Sequence, residues 1–320
     1  MKKSKSIIAK YESEVRQWKS DGMSYRSIAK ALSDKYNIKV SHTSVVSFLN
    51  VRDRKPTHSF PYFIDLPKDI QESLLQQFIV LWTHDSTAIE GNTLTLGETS
   101  KVLEYGLTIS GKPLREHEEV YGHAKAIELI LDLLKKDKIY DEDLFNLHRC
   151  VMQKTAIDSL RPVGDWKKDF NGTTGVLNGE MHYMQYASPI ETPKLMTRWL
   201  KEFNRKLNSA NTKAKAINVY AWCHLSFVRI HPFFDGNGRI ARLIANLPLL
   251  KCGLPPILIS PDKKAEYIDI LWNYENAVGQ ITTDDRLLES DESITEFKQL
   301  IKKEWEESYK LIKKAYSIRN

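Results

Sequence analysis

The chain has 320 residues, 42% hydrophobic and 28% charged, the balance of an ordinary globular protein of about two domains. Its three cysteines, Cys150, Cys223 and Cys252, are too scattered for a disulfide framework or a CxxC metal site, and no run of about 18 apolar residues could cross a membrane. The basic start MKKSKSIIAKYESEV has no apolar stretch long enough for a signal peptide, so a reducing, cytoplasmic setting with no membrane partner is expected.

Charge is concentrated at the front. Residues 1–55 hold 13 Lys+Arg against 5 Asp+Glu, an excess larger than the +6 of the whole chain. A small basic module on a near-neutral body suggests a polyanionic partner. Ile7, Ile8, Tyr11, Val15 and Trp18 recur at helical spacing until Asp21-Gly22. Ser24 then caps a second helix with the face Ile28, Leu32 and Tyr36, which Asn37 breaks. Ser41 caps a third helix carrying Val45, Val46 and Leu49, with His42, Thr43, Ser44 and Ser47 left outward. The arrangement, SIAKAL included, resembles a helix-turn-helix. That resemblance implies DNA binding through the third helix, with Lys39, Arg52 and Arg54 near phosphates. A three-helix protein-interaction module is the alternative reading.

Lys55-Pro56-Thr57-His58-Ser59-Phe60-Pro61 reads as a linker, because its two prolines flank a polar stretch that cannot continue a helix. The expected domains are therefore 1–55 and 60–320. Helical spacing then predicts helices over Ile70 to Trp82, Leu96 to Tyr105, Glu116 to Leu134, Asp143 to Met152, Thr192 to Leu207, Thr212 to Ile230 and Ile240 to Cys252, with two more near the end. Between them, Gly175 to Ala187 has Asn178-Gly179 flanked by Val176-Leu177 and Met181, a β-hairpin signature. The fold class is all-α, a helical core with one hairpin beside the small head.

The densest chemistry lies in His231-Pro232-Phe233-Phe234-Asp235-Gly236-Asn237-Gly238-Arg239-Ile240-Ala241-Arg242, a loop between two helices. Gly236 and Gly238 let successive N–H groups converge on an oxyanion, and the next helix adds its positive end. Arg239 and Arg242 share one side of the first turn and suit separate phosphates. Asp235 is a hard oxygen ligand suited to Mg²⁺, and His231 can accept a proton from a nucleophile.

These twelve residues resemble the Fic family pattern HxFx[DE]GNGRxxR at every defined position. The resemblance implies a Fic core in which His231 is general base, Phe233 anchors the loop and Asp235 holds Mg²⁺. It assigns Gly236, Asn237 and Gly238 to the α and β phosphates of ATP, and Arg239 and Arg242 to the β and γ phosphates. The implied reaction is transfer of AMP from ATP to a Ser, Thr or Tyr hydroxyl of a target protein. In the related Doc branch a lysine stands where Gly238 is, with phosphoryl transfer as the result, so glycine favours AMP transfer. The hairpin, with Gly175, Val176 and Leu177, is similar in place to the Fic flap, which receives an extended target segment by strand addition; an ordinary surface hairpin is the alternative. Pro255 to Ile259 with Tyr267 resembles the segment near adenine, where Tyr267 either stacks on the base or serves as core. One departure precedes the flap: the family form is GxxR, and Gly164-Asp165-Trp166-Lys167 stands here.

Ser86-Thr87-Ala88-Ile89-Glu90-Gly91-Asn92 is similar to the family's inhibitory pattern [ST]xxxE[GN]. The resemblance implies that Glu90, held by Ser86 and placed at a helix end by Gly91, pairs with Arg242 and denies it to the γ phosphate; a capping glutamate is the plainer reading. Removal of AMP by the same site, and a DNA-binding regulator that only senses ATP, are the competing functions, and intact His231 argues against a pure sensor. A homodimer stays open.

Overall fold

A computed structural model describes residues 8, 10–42, 44–45, 66–153, 158–177 and 179–319. Two compact units result: Met1–Thr57 with Ser100–Ser110, and His58–Thr99 with Gly111–Asn320.

The smaller unit is built on α1 (Glu12–Ser20) and α2 (Tyr25–Tyr36). Ser24 caps α2 by accepting from the Ser27 N–H at 3.1 Å, and Asn37 ends it in the left-handed region at φ 50°. Ile8, Val15, Ile28, Ala29, Leu32, Val40 and Val45 form its core. Ser41 accepts from the Ser44 N–H at 3.1 Å, and helix is present at His42, Ser44 and Val45. The expected positions of Ile7, Thr43, Val46, Ser47, Leu49, Arg52 and Arg54, and the linker 55–61, lie outside the described residues.

Next come α3 (Lys68–Ile89), α4 (Leu96–Tyr105), α5 (Leu114–Leu133), α6 (Asp141–Met152), β1 (Gly172–Leu177) and β2 (Glu180–Gln185). They are followed by α7 (Thr192–Ser209), α8 (Lys213–Ile230), α9 (Asn237–Ile244), α10 (Leu247–Lys251), a 3₁₀ turn at Pro261–Lys263, α11 (Lys264–Val278) and α12 (Ser293–Arg319). The centre of the larger unit is α8. Tyr220 to Ile230 is buried all round, and the helix packs against α7, α9, α10 and α12. Among the described residues no helix is long and apolar enough to cross a membrane.

Three expected boundaries move. Helix α3 runs past Trp82 to Ile89, because Thr83, Asp85, Ser86 and Thr87 are buried polar residues with partners of their own, which a count of apolar positions does not register. The helix expected over Ile240 to Cys252 starts at Asn237 and breaks between α9 and α10. There Pro248 interrupts the ladder, and the Asn246 side chain accepts from the Ile257 N–H at 2.7 Å and donates to its carbonyl at 3.0 Å. The hairpin begins at Gly172 rather than Gly175, pairing antiparallel from Gly172↔Gln185 to Leu177↔Glu180. Its turn holds Gly179 at φ 85°, while Asn178 lies outside the described residues.

Candidate active site

Helices α8 and α9 are joined by the loop His231 to Gly236. His231 ends α8 in the left-handed region at φ 52°, ψ 59°, a conformation a non-glycine residue holds only when its surroundings enforce it. Phe233 supplies much of that enforcement. Fully buried, it stacks on His148 with ring centroids 4.0 Å apart and lies 5.2 Å from Trp166. Asn237 closes the loop on itself, its Oδ1 accepting from the Phe233 N–H at 2.9 Å and its Nδ2 donating to the Phe233 carbonyl at 2.8 Å. The Asn237 side chain thus shapes the loop, and its main-chain N–H is what it offers to a ligand. Replacing Phe233 with alanine would empty this packing, and a loss of about 3–5 kcal/mol in unfolding free energy, read by denaturant titration, is expected.

Gly236, at φ 79°, turns the chain into α9. The first bond of that helix runs from the Ile240 N–H to the Gly236 carbonyl at 3.1 Å. The N–H groups of Asn237, Gly238 and Arg239 therefore have no intrahelical acceptor, and they open at the positive end of α9. Arg239, 7% exposed, and Arg242, 3% exposed, stand beside that mouth. Asp235 lies outward, its side chain 65% exposed and 3.6 Å from Arg239 Nη2, with Oδ1 accepting from the Gly236 N–H at 2.5 Å.

His231 is half-buried. Its Nδ1 lies 3.1 Å from the Val228 carbonyl, which can only accept, so Nδ1 carries the proton and the neutral ring has Nε2 as its acceptor. Burial, with the nearby Lys167 charge adding, pushes the His231 pKa down to about 3. The imidazole is thus neutral at ordinary pH, with its base nitrogen uncommitted to Val228.

Glu90 follows the last residue of α3, and Gly91 turns away at φ 102°. Arg242 Nη2 donates to Glu90 Oε1 at 2.6 Å and to the Ser86 carbonyl at 2.8 Å, while its Nε donates to Ser86 Oγ at 3.0 Å. Burial disfavours the Glu90 carboxylate, yet the charge and hydrogen bond of Arg242, with Arg239 and His231 adding, hold its pKa below the ordinary value. The carboxylate also reaches over the mouth of α9: a Cβ on Gly238 would lie 2.6 Å from Glu90 Oε1 and 3.1 Å from Arg242 Nη1. Glycine at 238 is what lets the pair close there.

Tyr267 is core rather than an open ring face. It is 1% exposed, its hydroxyl 3.0 Å from His224 Nε2 and 3.4 Å from Arg242 Nη1. In the hairpin Val176, Met181 and Tyr183 are exposed, and a Cβ on Gly175 would lie 2.5 Å from the Trp272 ring, so β1 lies directly on that indole. Leu177 pairs with Glu180 at the tip.

The structure therefore gathers Ser86, Glu90, Gly238 and Arg242 at one point, with His231, Asp235 and Gly236 on the loop and Asn237 and Arg239 in the first turn of α9. Sequence reasoning missed the groups behind them. Lys167 is 2% exposed, with its N–H bonded to the Pro232 carbonyl at 2.9 Å and its Nζ 2.7 Å from Asn171 Oδ1. Burial brings its pKa to about 7. Asn171 Nδ2 in turn donates to the Phe233 carbonyl at 2.8 Å, and Tyr186 lies flat on His231. Only Lys167 left a trace in the sequence, as the departure from GxxR.

Residues 138–249, which include the hairpin, the loop and both its helices, match the Fic/DOC family. The chain carries a Fic domain. It is 33% identical over 224 residues to protein adenylyltransferase fic-1 of Caenorhabditis elegans, covering 67% of this chain and 41% of that protein. To protein adenylyltransferase Fic of Drosophila erecta it is 33% identical over 190 residues, covering 59% and 35%. The chain thus spans well under half the length of these curated relatives. Among solved structures, a Fic domain containing signaling protein from Bacteroides thetaiotaomicron superposes with a TM-score of 0.67 at 26% identity, covering 83% of this chain and 97% of that one. Fic-1 of C. elegans gives 0.59 at 25% identity, covering 88% and 76%. Glu90 lies before the matched Fic stretch, and its contact with Arg242 reaches into it.

Proposed function

We propose that the chain is a protein adenylyltransferase that moves AMP from ATP to a hydroxyl of a target protein, and that Glu90 restrains it. The carrying observation is the neutral His231 imidazole on the loop that ends at the open mouth of α9, flanked by two buried arginines, in a chain whose relatives are named protein adenylyltransferases. The target oxygen attacks the α phosphorus of ATP, an O–P bond forms, the bond to the β-phosphate oxygen breaks, and pyrophosphate leaves. The hydroxyl proton passes to His231 Nε2. Main-chain N–H groups of Asn237, Gly238 and Arg239 hold α and β phosphate oxygens, and Arg239 and Arg242 the β and γ phosphates. The β1 edge of the hairpin, with Gly175, Val176 and Leu177, receives an extended segment of the target.

Among the described residues no group of three or more His, Cys, Asp or Glu gathers, and Asp235 is the residue that would hold a Mg²⁺ ion brought in with ATP. The exposure of the Asp235 carboxylate supports that reading. When bound, such an ion neutralises charge on the departing pyrophosphate.

ATP labelled at the α position marks the protein under this reading, and ATP labelled at the γ position does not. Label arriving from the γ position alone would mean phosphoryl transfer and would overturn it.

The basic head is proposed to bind duplex DNA, supported by its charge and by the Ser24-capped α2 ending at Asn37. Deleting residues 1–55 is expected to abolish the salt-dependent part of duplex affinity in a fluorescence-anisotropy titration. Unchanged affinity in the shortened chain would remove the head from that role.

A further inference from the structure

The base at His231 is held by a residue of the hairpin, an arrangement whose importance rests on the transfer reading above. One hydrogen bond, Nδ1 to the Val228 carbonyl, fixes a point on the imidazole and leaves its plane free to rock. Tyr186 removes that freedom. Its ring lies parallel to the imidazole, with centroids 3.7 Å apart and planes within 5°.

Tyr186 is itself fixed from several sides. Directly after β2, its N–H donates to the Asn171 carbonyl at 3.1 Å and its carbonyl accepts from Gln280 Nε2 at 3.0 Å, while its hydroxyl reaches Thr173 of β1 and Glu275 of α11. Asn171, at the other foot of the hairpin, grips the carbonyls of Phe233 and Phe234 at 2.8 and 3.2 Å. Both feet of the hairpin therefore hold the loop that carries the base.

We propose that Tyr186 is the positioning residue of His231. Its ring sets the imidazole plane, and with it the direction of Nε2, so that the hairpin receiving the target hydroxyl and the base accepting its proton move as one piece. Near-attack geometry is sensitive to shifts of about 1 Å, and loss of the stack is felt in the chemical step rather than in nucleotide binding.

The test is made in the Glu90→Gly protein, by steady-state AMP transfer with Tyr186→Leu and Tyr186→Phe. Leucine is expected to lower kcat on the order of 10²-fold with KM for ATP steady, and phenylalanine, which keeps the stack, to retain most of the rate. Equal kcat in the two variants, or a KM for ATP that rises in step with the loss, overturns the proposal. A second readout needs no activity and so separates this inference from the function it rests on. The His231 Cε1–H resonance, shifted by the ring current of Tyr186, is expected to move in Tyr186→Leu and to stay in Tyr186→Phe. An unmoved resonance in the leucine variant refutes the stack even if no transfer is ever detected.

Discussion

Glu90→Gly is expected to raise the initial rate of AMP transfer about 10- to 100-fold, measured with α-labelled ATP at saturating Mg²⁺. In the closed pair, Arg242 already has acceptors for Nε and Nη2 in Ser86 and Glu90, and the Glu90 carboxylate stands over the N-terminus of α9. A γ phosphate arriving there meets an occupied guanidinium and a negative charge. Releasing Arg242 returns a charge-assisted hydrogen bond worth about 1.5–3 kcal/mol, which gives the stated factor if it is used in the transition state. Ser86 still holds the guanidinium after the substitution, so Arg242 keeps its position rather than swinging free. An unchanged rate, with ATP binding intact, would mean that Glu90 only finishes α3.

His231→Ala in the Glu90→Gly background is expected to lower kcat about 10²- to 10⁴-fold while ATP affinity by calorimetry stays put, since the substitution removes a proton acceptor and no phosphate ligand. The pH dependence carries a sharper signature. A base works in its deprotonated form, and a folded pKa of about 3 keeps His231 in that form far below the usual histidine value of 6.5. Glu90 is the neighbouring carboxylate that favours the imidazolium, so its removal pushes the value further down. The kcat/KM profile of Glu90→Gly is therefore expected to cross pH 6.5 without the acid limb an ordinary histidine base gives. A limb at 6.5 that disappears in His231→Ala would show an imidazole far better solvated than this structure has it.

What could be read in advance divides along a physical line. The stretch from His231 to Arg242 was legible because its chemistry is local. Two glycines, a helix start and two arginines three residues apart compose a phosphate cradle within one stretch of chain. Glu90 was placed near a helix end by the Gly91 stop, although that helix reaches Ile89 rather than Trp82. The missing stretch opens with five polar residues, Thr83 to Thr87, and the partner of Ser86 there is Arg242, far along the chain. Tyr186 and Glu275 had no signal for the same reason: a stacked ring and a buried carboxyl are defined by what faces them across elements. Tyr267 shows the limit from the other side. Its helix and its closeness to the nucleotide segment were readable, while its burial against His224 and Arg242 depends on packing among α8, α9 and α11.

Covalent transfer of an adenylyl group should be drawn out by releasing Glu90 and depend on His231. The decisive measurement is the intact mass of protein incubated with Mg²⁺, ATP and candidate targets, comparing wild type, Glu90→Gly and Glu90→Gly/His231→Ala. Glu90→Gly is expected to gain the mass of AMP on itself or a target, wild type to gain little, and the double variant to gain none. No gain in Glu90→Gly with ATP bound, or an equal gain in the double variant, would contradict it.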